Sequence, residues 1–266
     1  MTVPGDSRTN GVEDVTTDDI FLGHFPAGGL KILQPRNGLR SGLDTVMLAA
    51  SVEATSGMTI LDAGAGVGVV GLVVARRCAG VRVTLLERER ELTDLARANA
   101  QRNGLGDRTT VVCADLLHSL AMLTGSGLAP NSFDHVLANP PFYEADQVRA
   151  SPHGLKAGAS AFDAGDLDRW LRFLAAMAKP GGRLALVHRA SALAELLDAI
   201  GTRFGALEIL PLFPRHGAAA SRVLVRGVKG SRGPLRLLSG LILHDAAGGF
   251  TSEADAILRN GAPLSW

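Results

Sequence analysis

Four apolar segments of the chain each end in an acid or an amide, and helix-forming segments separate them. The four terminal residues are Asp62, Glu87, Asp115 and Asn139. Strands that alternate with helices predict a mainly parallel sheet, because each parallel connection needs a crossover. Ligands of such sheets bind beyond the carboxyl ends of the strands. The sequence therefore predicts a doubly wound α/β domain whose four polar strand ends meet at one ligand-binding edge.

The predicted sheet has seven strands. Residues 1–17 are polar and aperiodic, which indicates a disordered lead. Residues 18–57 contain two short apolar runs around a Pro-Ala-Gly-Gly turn and then a helical segment, so we expect an N-terminal hairpin annex there. Residues 58–266 form the α/β domain. Its strands are predicted at residues 59–61, 81–86, 109–113, 133–138, 183–188, 207–212 and 223–228.

Composition excludes several classes of protein. Of 266 residues, 46% are apolar and 20% are charged, which is typical of a soluble α/β protein. No apolar run reaches membrane-spanning length and no signal-peptide pattern begins the chain, so we expect a cytoplasmic protein without membrane contact. Cys78 and Cys113 lie far apart and the histidines show no ligand spacing, so neither a disulfide framework nor a metal site is expected.

Charge is unevenly distributed although the net charge is only +1. Between residues 201 and 240 seven basic residues face a single acid, Glu208. Such an excess is compatible with a surface that contacts a polyanion and equally with an ordinary solvated face. Arg215, Arg222 and Arg226 are the candidates for contacts with RNA phosphate.

The first predicted strand runs into a glycine loop, residues 64–68, at the cofactor end of the sheet. Residues 66–71 match the dinucleotide pattern G-x-G-x-x-G, so a nicotinamide or flavin cofactor must be considered. Asp62 argues against it, because its carboxylate would face a pyrophosphate. The sulfonium and ammonium of S-adenosylmethionine carry no such conflict. Gly64, Gly66 and Gly68 would let the backbone approach this ligand closely.

The next two strand ends carry Glu87 and Asp115. Glu87 can accept both hydroxyls of a ribose, and Asp115 can accept from the amino group of an adenine. For each acid, a role in capping a helix or closing a turn is the competing interpretation.

The fourth strand is followed by Asn139-Pro140-Pro141-Phe142-Tyr143. The prolines cannot donate ladder hydrogen bonds, so the strand must end there. In isolation this segment is typical of a strand-terminating turn. Beside a methyl donor, the same residues offer an amide acceptor and flat aromatic surface to a planar molecule that carries an amino group.

The glycine loop followed by Asn-Pro-Pro-Phe resembles the class I S-adenosylmethionine-dependent methyltransferases that act on exocyclic or amide nitrogen. Further segments are similar to the bacterial tRNA(Val) adenine N6-methyltransferase family. This resemblance implies a Rossmann-like fold, S-adenosylmethionine as cofactor and an adenine of tRNA as substrate. The similar segments are residues 21–23, 33–35, 38–40, 44–50, 241–245 and 249–251.

The resemblance also implies roles for individual residues. Asn139 and the Pro140 carbonyl would accept hydrogen bonds from the target amine, and Asn139 would also border the cofactor. Phe142 would stack on the base. Four groups of residues share the remaining roles. They are Asp62, Gly64, Gly66, Gly68, Glu87 and Asp115 for the cofactor, Pro141 and Tyr143 beside the base, Arg215 and Arg222 for RNA, and Arg40 and Asp44 near the mouth of the site.

Other functions stay open at this point. The Asn-Pro-Pro-aromatic motif also serves enzymes that methylate guanine N2 of ribosomal RNA or a glutamine amide of a protein, since each target is an amino group on an sp² carbon. A cofactor-binding module without catalysis and a dinucleotide oxidoreductase are the alternatives from other classes. The exact RNA, the oligomeric state and a lid role for residues 144–165 are not determined by the sequence.

Overall fold

The computed structural model describes residues 20–25, 29–36, 42–118, 120–126, 128–141 and 165–266. The strands are β1 (Ile20–Phe25), β2 (Leu30–Pro35), β3 (Thr59–Ala63), β4 (Arg82–Glu87), β5 (Thr109–Cys113), β6 (Phe133–Ala138), β7 (Ala178–Arg189), β8 (Phe204–Arg215), β9 (Arg222–Lys229), β10 (Arg236–Leu237) and β11 (Leu241–His244). The helices are α1 (Leu43–Ala50), α2 (Val69–Arg77), α3 (Arg90–Arg102), α4 (Leu120–Gly125), α5 (Asp166–Met177), α6 (Leu193–Ile200) and α7 (Ser252–Asn260).

The central sheet is mainly parallel, as predicted. Its order is β10-β8-β9-β7-β6-β3-β4-β5, and β11 pairs with β8 beside β10. Only β9 of these described strands runs antiparallel to its neighbours. From β3 the chain moves outward to β4 and β5 and then returns to β6 on the other side of β3. This reversal places a topological switch point between β3 and β6, where ligands of such sheets bind.

Apolar side chains cover both faces of the sheet, which makes the fold doubly wound. One buried cluster joins α1, α2, α3 and α7 to the sheet, and the other joins α5 and α6 to its opposite face. Two helix ends carry residues that commonly cap helices. Thr251 caps α7 by accepting a hydrogen bond from the amide of Ala254 at 3.2 Å, and Gly104 adopts a left-handed φ of 65° just after α3.

The strands β1 and β2 form a separate two-stranded antiparallel sheet. We call β1 and β2 the N-terminal hairpin. Leu30 and Ile32 of β2 are fully buried in the cluster that holds α2 and α3. The hairpin is therefore seated on the cofactor half of the sheet. The division of the chain into a lead, an annex and a domain remains a prediction, and residues 1–19 lie outside the described part.

The sheet has nine described strands rather than the predicted seven. The two additional strands, β10 and β11, both add to the free edge of β8. β10 has only two residues, and both are exposed, so no apolar alternation marks it in the sequence. α4 is also too short to be distinguished from a loop by periodicity.

α5 ends at Met177, and β7 begins at Ala178 rather than at the predicted residue 183. No helix in the described ranges is long and apolar enough to cross a membrane.

Candidate active site

The glycine loop wraps over the carboxyl end of β4. The amides of Gly64 and Ala65 both donate to the carbonyl of Leu86, at 2.8 and 2.9 Å. Gly64, Gly66 and Gly68 have φ values of 69°, 57° and 90°. Residues with a side chain rarely adopt this left-handed region, so the loop requires glycine at all three positions.

The surroundings of the three glycines differ. A Cβ on Gly64 would lie 2.5 Å from the indole of Trp170, and one on Gly68 would lie 2.7 Å from Leu85. A Cβ on Gly66 would meet no described atom within 4 Å. Gly64 and Gly68 therefore fit against protein, whereas Gly66 leaves open space above the loop for a ligand.

Asp62, on β3, is a buried carboxylate that faces the first turn of helix α2, with 2% of its surface exposed. Its Oδ2 accepts a hydrogen bond of 2.9 Å from the amide of Gly71, in the first turn of that helix. The pKa of Asp62 is raised to about 7, mainly because burial disfavours the charged carboxylate; the hydrogen bond from the Gly71 amide opposes this shift and the negative charge of Glu87 adds to it. A cationic ligand nearby would favour the ionised form of Asp62.

Glu87 is held by three backbone amides. Its Oε2 accepts from Gly66 at 2.9 Å, and its Oε1 accepts from Arg88 at 2.8 Å and from Glu89 at 3.0 Å. A carboxylate has about four acceptor sites, so one site on Oε2 remains available to a donor. A second ribose hydroxyl would have to replace the Gly66 amide.

Asp115 lies just beyond β5, beside a cleft of about 450 Å³ that Glu89, Cys113 and His118 also line. Its Oδ1 accepts a hydrogen bond of 2.8 Å from the amide of Leu117, which is a local turn contact. Oδ2 accepts none from the described residues, so it is available to an amino group in the cleft.

Asn139 follows β6 at the switch point. Ala63 and Ala138 are paired in the register of β3 with β6, so the next residues along, Gly64 and Asn139, start from neighbouring positions. The Oδ1 atom of Asn139 is buried and has no hydrogen-bond partner among the described residues. A buried acceptor without a donor costs about 1–3 kcal/mol, so this oxygen would gain from an amino group brought to it.

The next residue, Pro140, is buried and Pro141 is half-buried. Their rings fix φ near −65° and remove two backbone donors, so the chain leaves the sheet in a defined direction. Among the turn and loop hydrogen bonds of the described residues, none is accepted by the backbone carbonyl of Asn139 or of Pro140. The turn geometry and an acceptor role for Asn139 are therefore compatible.

Comparison with known proteins identifies related sequences and structures. The family Methyltransferase small domain matches residues 41–159. The crystal structure of a predicted O-methyltransferase from Agrobacterium tumefaciens is 32% identical, with a TM-score of 0.71 over 84% of this chain and 99% of that one. The chain belongs to the class I S-adenosylmethionine-dependent methyltransferases. S-Adenosylmethionine is accordingly its cofactor.

Curated relatives of this methyltransferase carry the name tRNA1(Val) (adenine(37)-N6)-methyltransferase. One from Shewanella baltica is 24% identical over 225 residues, which are 84% of this chain and 92% of the relative. Another from Shewanella loihica is 30% identical over 167 residues, 61% of this chain and 65% of the relative.

The residues at the strand ends of the methyltransferase suit its cofactor. Gly66 has open space above it, Asp62 is a carboxylate that a cation would stabilise, and Glu87 and Asp115 each have an oxygen available to a donor. Within the described ranges no group of three His, Cys, Asp or Glu side chains is arranged to hold a metal ion.

Two of the predicted RNA-contacting arginines lie at the same edge as the strand ends. Arg215 ends β8 and is exposed, and Arg222 begins β9 opposite Arg189 at the end of β7. The Nε of Arg222 donates to Asp44 at 2.9 Å. Asp44 is therefore ion-paired with Arg222, and its predicted place near the mouth of the site stays a prediction.

Arg226 was predicted to contact RNA, but in the structure of the methyltransferase its side chain is engaged in contacts within the protein. Its guanidinium forms ion pairs with Glu208 and, at 3.2 Å, with Glu53, and it lies 4.2 Å from the ring centroid of Trp266. Glu208 also pairs with Arg236 at 2.6 Å. These contacts occupy Arg226 within the protein, so we do not retain it as an RNA ligand.

Phe142, Tyr143, Arg40 and the proposed lid segment lie outside the described residues, apart from residue 165. The structure also reveals contacts that sequence reasoning missed. Gly71 belongs to the G-x-G-x-x-G match, but its use as the amide that faces Asp62 was not predicted. Trp170 on α5 carries no sequence signal that would place it against the glycine loop.

Proposed function

We propose that the methyltransferase transfers a methyl group from S-adenosylmethionine to the N6 amine of an adenine in tRNA. The observation that carries this proposal is the buried, unpartnered Oδ1 of Asn139 at the switch point. Two further facts support it, the adenine N6 specificity in the names of the curated relatives and the arginines at the same edge of the sheet. In this function the protein works in the cytoplasm.

Asn139 and Pro140 make the target amine reactive. The lone pair of an exocyclic amine is delocalised into its ring, so the nitrogen is a poor nucleophile. Two acceptors, Oδ1 of Asn139 and the carbonyl of Pro140, hold the hydrogens of the amine and favour a pyramidal nitrogen. As the nitrogen–methyl bond forms, the bond from the methyl to the sulfonium would break and leave a neutral thioether. The same acceptors stabilise the positive charge that develops on the nitrogen, which then loses one proton to water.

The remaining predicted residues place the two reactants. The cofactor supplies a methyl group on a sulfonium, which needs no further activation. Gly66 gives space for it, Asp62 neutralises its cationic end, Glu87 accepts from its ribose and Asp115 accepts from its adenine. Gly64 and Gly68 hold the loop in shape. Alignment of amine and methyl then provides much of the rate enhancement.

On the substrate side, Phe142 stacks on a base turned out of its loop, beside Pro141 and Tyr143. Arg215, Arg222 and Arg40 contact phosphates and fix the RNA without reading its sequence. The proposed arrangement thus separates a base pocket, at the end of β6, from a phosphate-binding edge at the ends of β8 and β9.

A hydroxyl acceptor is the second candidate, because the Agrobacterium protein is described as a predicted O-methyltransferase. A hydroxyl loses its only proton during methyl transfer and needs a base to take it. The amide oxygen of Asn139 is a hydrogen-bond acceptor and not a base, so it is better suited to an amine. Transfer to guanine N2 or to a glutamine amide would use the same acceptors.

The Asn139→Ala variant tests the proposed mechanism. We expect single-turnover methyl transfer to tRNA to fall by about 10²–10³-fold, a loss typical of one transition-state hydrogen bond. The Kd for S-adenosylmethionine should change by less than about threefold, a difference of under 1 kcal/mol. Transfer at the wild-type rate by a variant that binds cofactor normally would show that Asn139 is not the acceptor.

A further inference from the structure

Two asparagines on α3 face the N-terminal hairpin. Asn99 and Asn103 are four residues apart, so their side chains lie on the same face of the helix. Asn99 is completely buried and Asn103 is 9% exposed. A buried amide side chain needs partners for its oxygen and for its nitrogen, and both asparagines find them on β2.

Each asparagine pairs with both backbone groups, the N–H and the C=O, of one β2 residue. Asn99 accepts from the Leu33 amide at 2.7 Å and donates to the Leu33 carbonyl at 3.1 Å. Asn103 accepts from the Lys31 amide at 3.0 Å and donates to the Lys31 carbonyl at 2.9 Å. The two side chains therefore take the place of a neighbouring strand along the free edge of β2.

The second hydrogen bond from each amide nitrogen distinguishes the two residues. Nδ2 of Asn99 also donates to the carbonyl of Val67, at 3.0 Å. Val67 lies between Gly66 and Gly68 in the glycine loop. Nδ2 of Asn103 instead donates to the carbonyl of Asn99 in its own helix, at 2.8 Å. Only Asn99 of this pair connects the hairpin to the cofactor loop.

We propose that Asn99 is a positioning residue that couples docking of the N-terminal hairpin to S-adenosylmethionine binding. One amide group serves both partners, so the hairpin fixes the nitrogen that holds Val67. When the cofactor orders the glycine loop, the Asn99 side chain is held more firmly, and its hydrogen bonds to Leu33 become more stable. The effect works in both directions, because such coupling is reciprocal. Asn99 contacts no reacting atom, and the proposal does not depend on which substrate is methylated.

Hydrogen exchange on the wild-type protein tests this coupling directly. The amides of Lys31 and Leu33 donate to the two asparagines, so they exchange only when the hairpin separates from α3. We expect saturating S-adenosylmethionine to slow exchange in residues 29–36 by about tenfold, the effect of one hydrogen bond. Peptides from β8 serve as the control and should be unaffected. Unchanged exchange in residues 29–36 would overturn the proposal.

Matched variants separate positioning from general stability. Asn99→Ala should raise the Kd for S-adenosylmethionine by about tenfold and abolish cofactor-dependent protection of residues 29–36. Asn103→Ala should destabilise the hairpin but retain that protection. Equal effects of the two variants on the Kd, or protection that survives in Asn99→Ala, would contradict the coupling.

A milder pair covers the case in which Asn99→Ala does not fold. Ile32→Val loosens the hairpin and leaves Asn99 intact, and Ile200→Val makes the same change at an equally buried site of the opposite cluster. The Ile→Val change costs about 1 kcal/mol of stability, and we expect part of this cost to appear in cofactor binding. Ile32→Val should therefore raise the Kd for S-adenosylmethionine by about two- to threefold, and Ile200→Val should leave it unchanged. Equal Kd values for these two variants would overturn the proposal.

Discussion

The amide of Gly66 donates a hydrogen bond of 2.9 Å to Oε2 of Glu87, which joins the glycine loop to the end of the neighbouring strand. Gly66 is also the loop glycine that leaves open space above its α-carbon. The residue that shapes the loop and the residue proposed to hold the ribose are therefore one structural unit. A ligand that contacts one of these two residues should therefore change the position or the mobility of the other.

Replacement of Glu87 tests this unit. Glu87→Gln removes the negative charge of a carboxylate whose oxygens accept three backbone hydrogen bonds. It also puts an NH₂ donor in place of one of these oxygens. We expect the Kd for S-adenosylmethionine to rise by about 10- to 100-fold, the range for a hydrogen bond to a charged group. Calorimetric titration measures this change. Unaltered affinity would mean that Glu87 supports the loop only.

The stability of the protein should depend on the protonation of Asp62. Its pKa is raised from 3.8 to about 7, so between these values the folded state binds more protons than the unfolded state. The contribution of Asp62 to the free energy of unfolding therefore falls as pH rises through this window, by at most about 4 kcal/mol at ~1.36 kcal/mol per pKa unit.

The Asp62→Asn variant isolates that contribution, because an amide does not titrate. We expect the variant to gain stability relative to wild type as pH rises from about 4 to about 7, with urea unfolding as the measurement. A difference between the two proteins that is constant with pH would show that Asp62 titrates normally.

The glycine loop offers a matched pair of substitutions. Gly64→Ala places a Cβ 2.5 Å from Trp170 at a left-handed φ, so we expect a loss of about 2–4 kcal/mol in unfolding free energy from overpacking and strain. Gly66→Ala meets strain without a clash, so it should cost only about 1–2 kcal/mol. Gly66→Ala should instead weaken cofactor binding by at least about tenfold. The reverse ranking in stability would contradict the roles assigned to these two glycines.

Arg215 should contribute to RNA affinity through phosphate alone. We expect Arg215→Ala to weaken tRNA binding and to reduce the slope of log K against log salt by about 1, as for the loss of one phosphate contact. Arg236→Ala is the control, since Arg236 is an exposed arginine of β10 that pairs with Glu208 in the first half of β8, away from the carboxyl end where Arg215 lies. Identical slopes for these two variants would remove Arg215 from the interface.

Local patterns in the sequence predict much of the fold and of the cofactor end. The alternation of apolar strands and helices gives the parallel sheet, and the glycines at residues 64, 66 and 68 indicate the loop that follows β3. The polar strand ends follow from the rule that ligands bind at the carboxyl edge. Asp62, Glu87, Asp115 and Asn139 all lie at or just beyond this edge.

Contacts between distant segments are not visible in those patterns. Asn99 and Val67 are 32 positions apart, and Asn99 and Leu33 are 66 apart. Their meeting depends on where the hairpin docks, which periodicity does not specify. For the same reason the sequence presents Arg226 as a free cation, whereas the register of β8 with β9 brings it opposite Glu208.

The central claim is that the amino group received by Asn139 belongs to an adenine of tRNA. Transfer of radiolabelled methyl to separate pools of total tRNA, ribosomal RNA and protein, followed by nucleoside analysis, tests it most directly. We expect label in tRNA, as N6-methyladenosine, at an initial rate that is about 10²–10³-fold lower with Asn139→Ala. Label found only in protein, in guanosine or on a hydroxyl would contradict the proposed function.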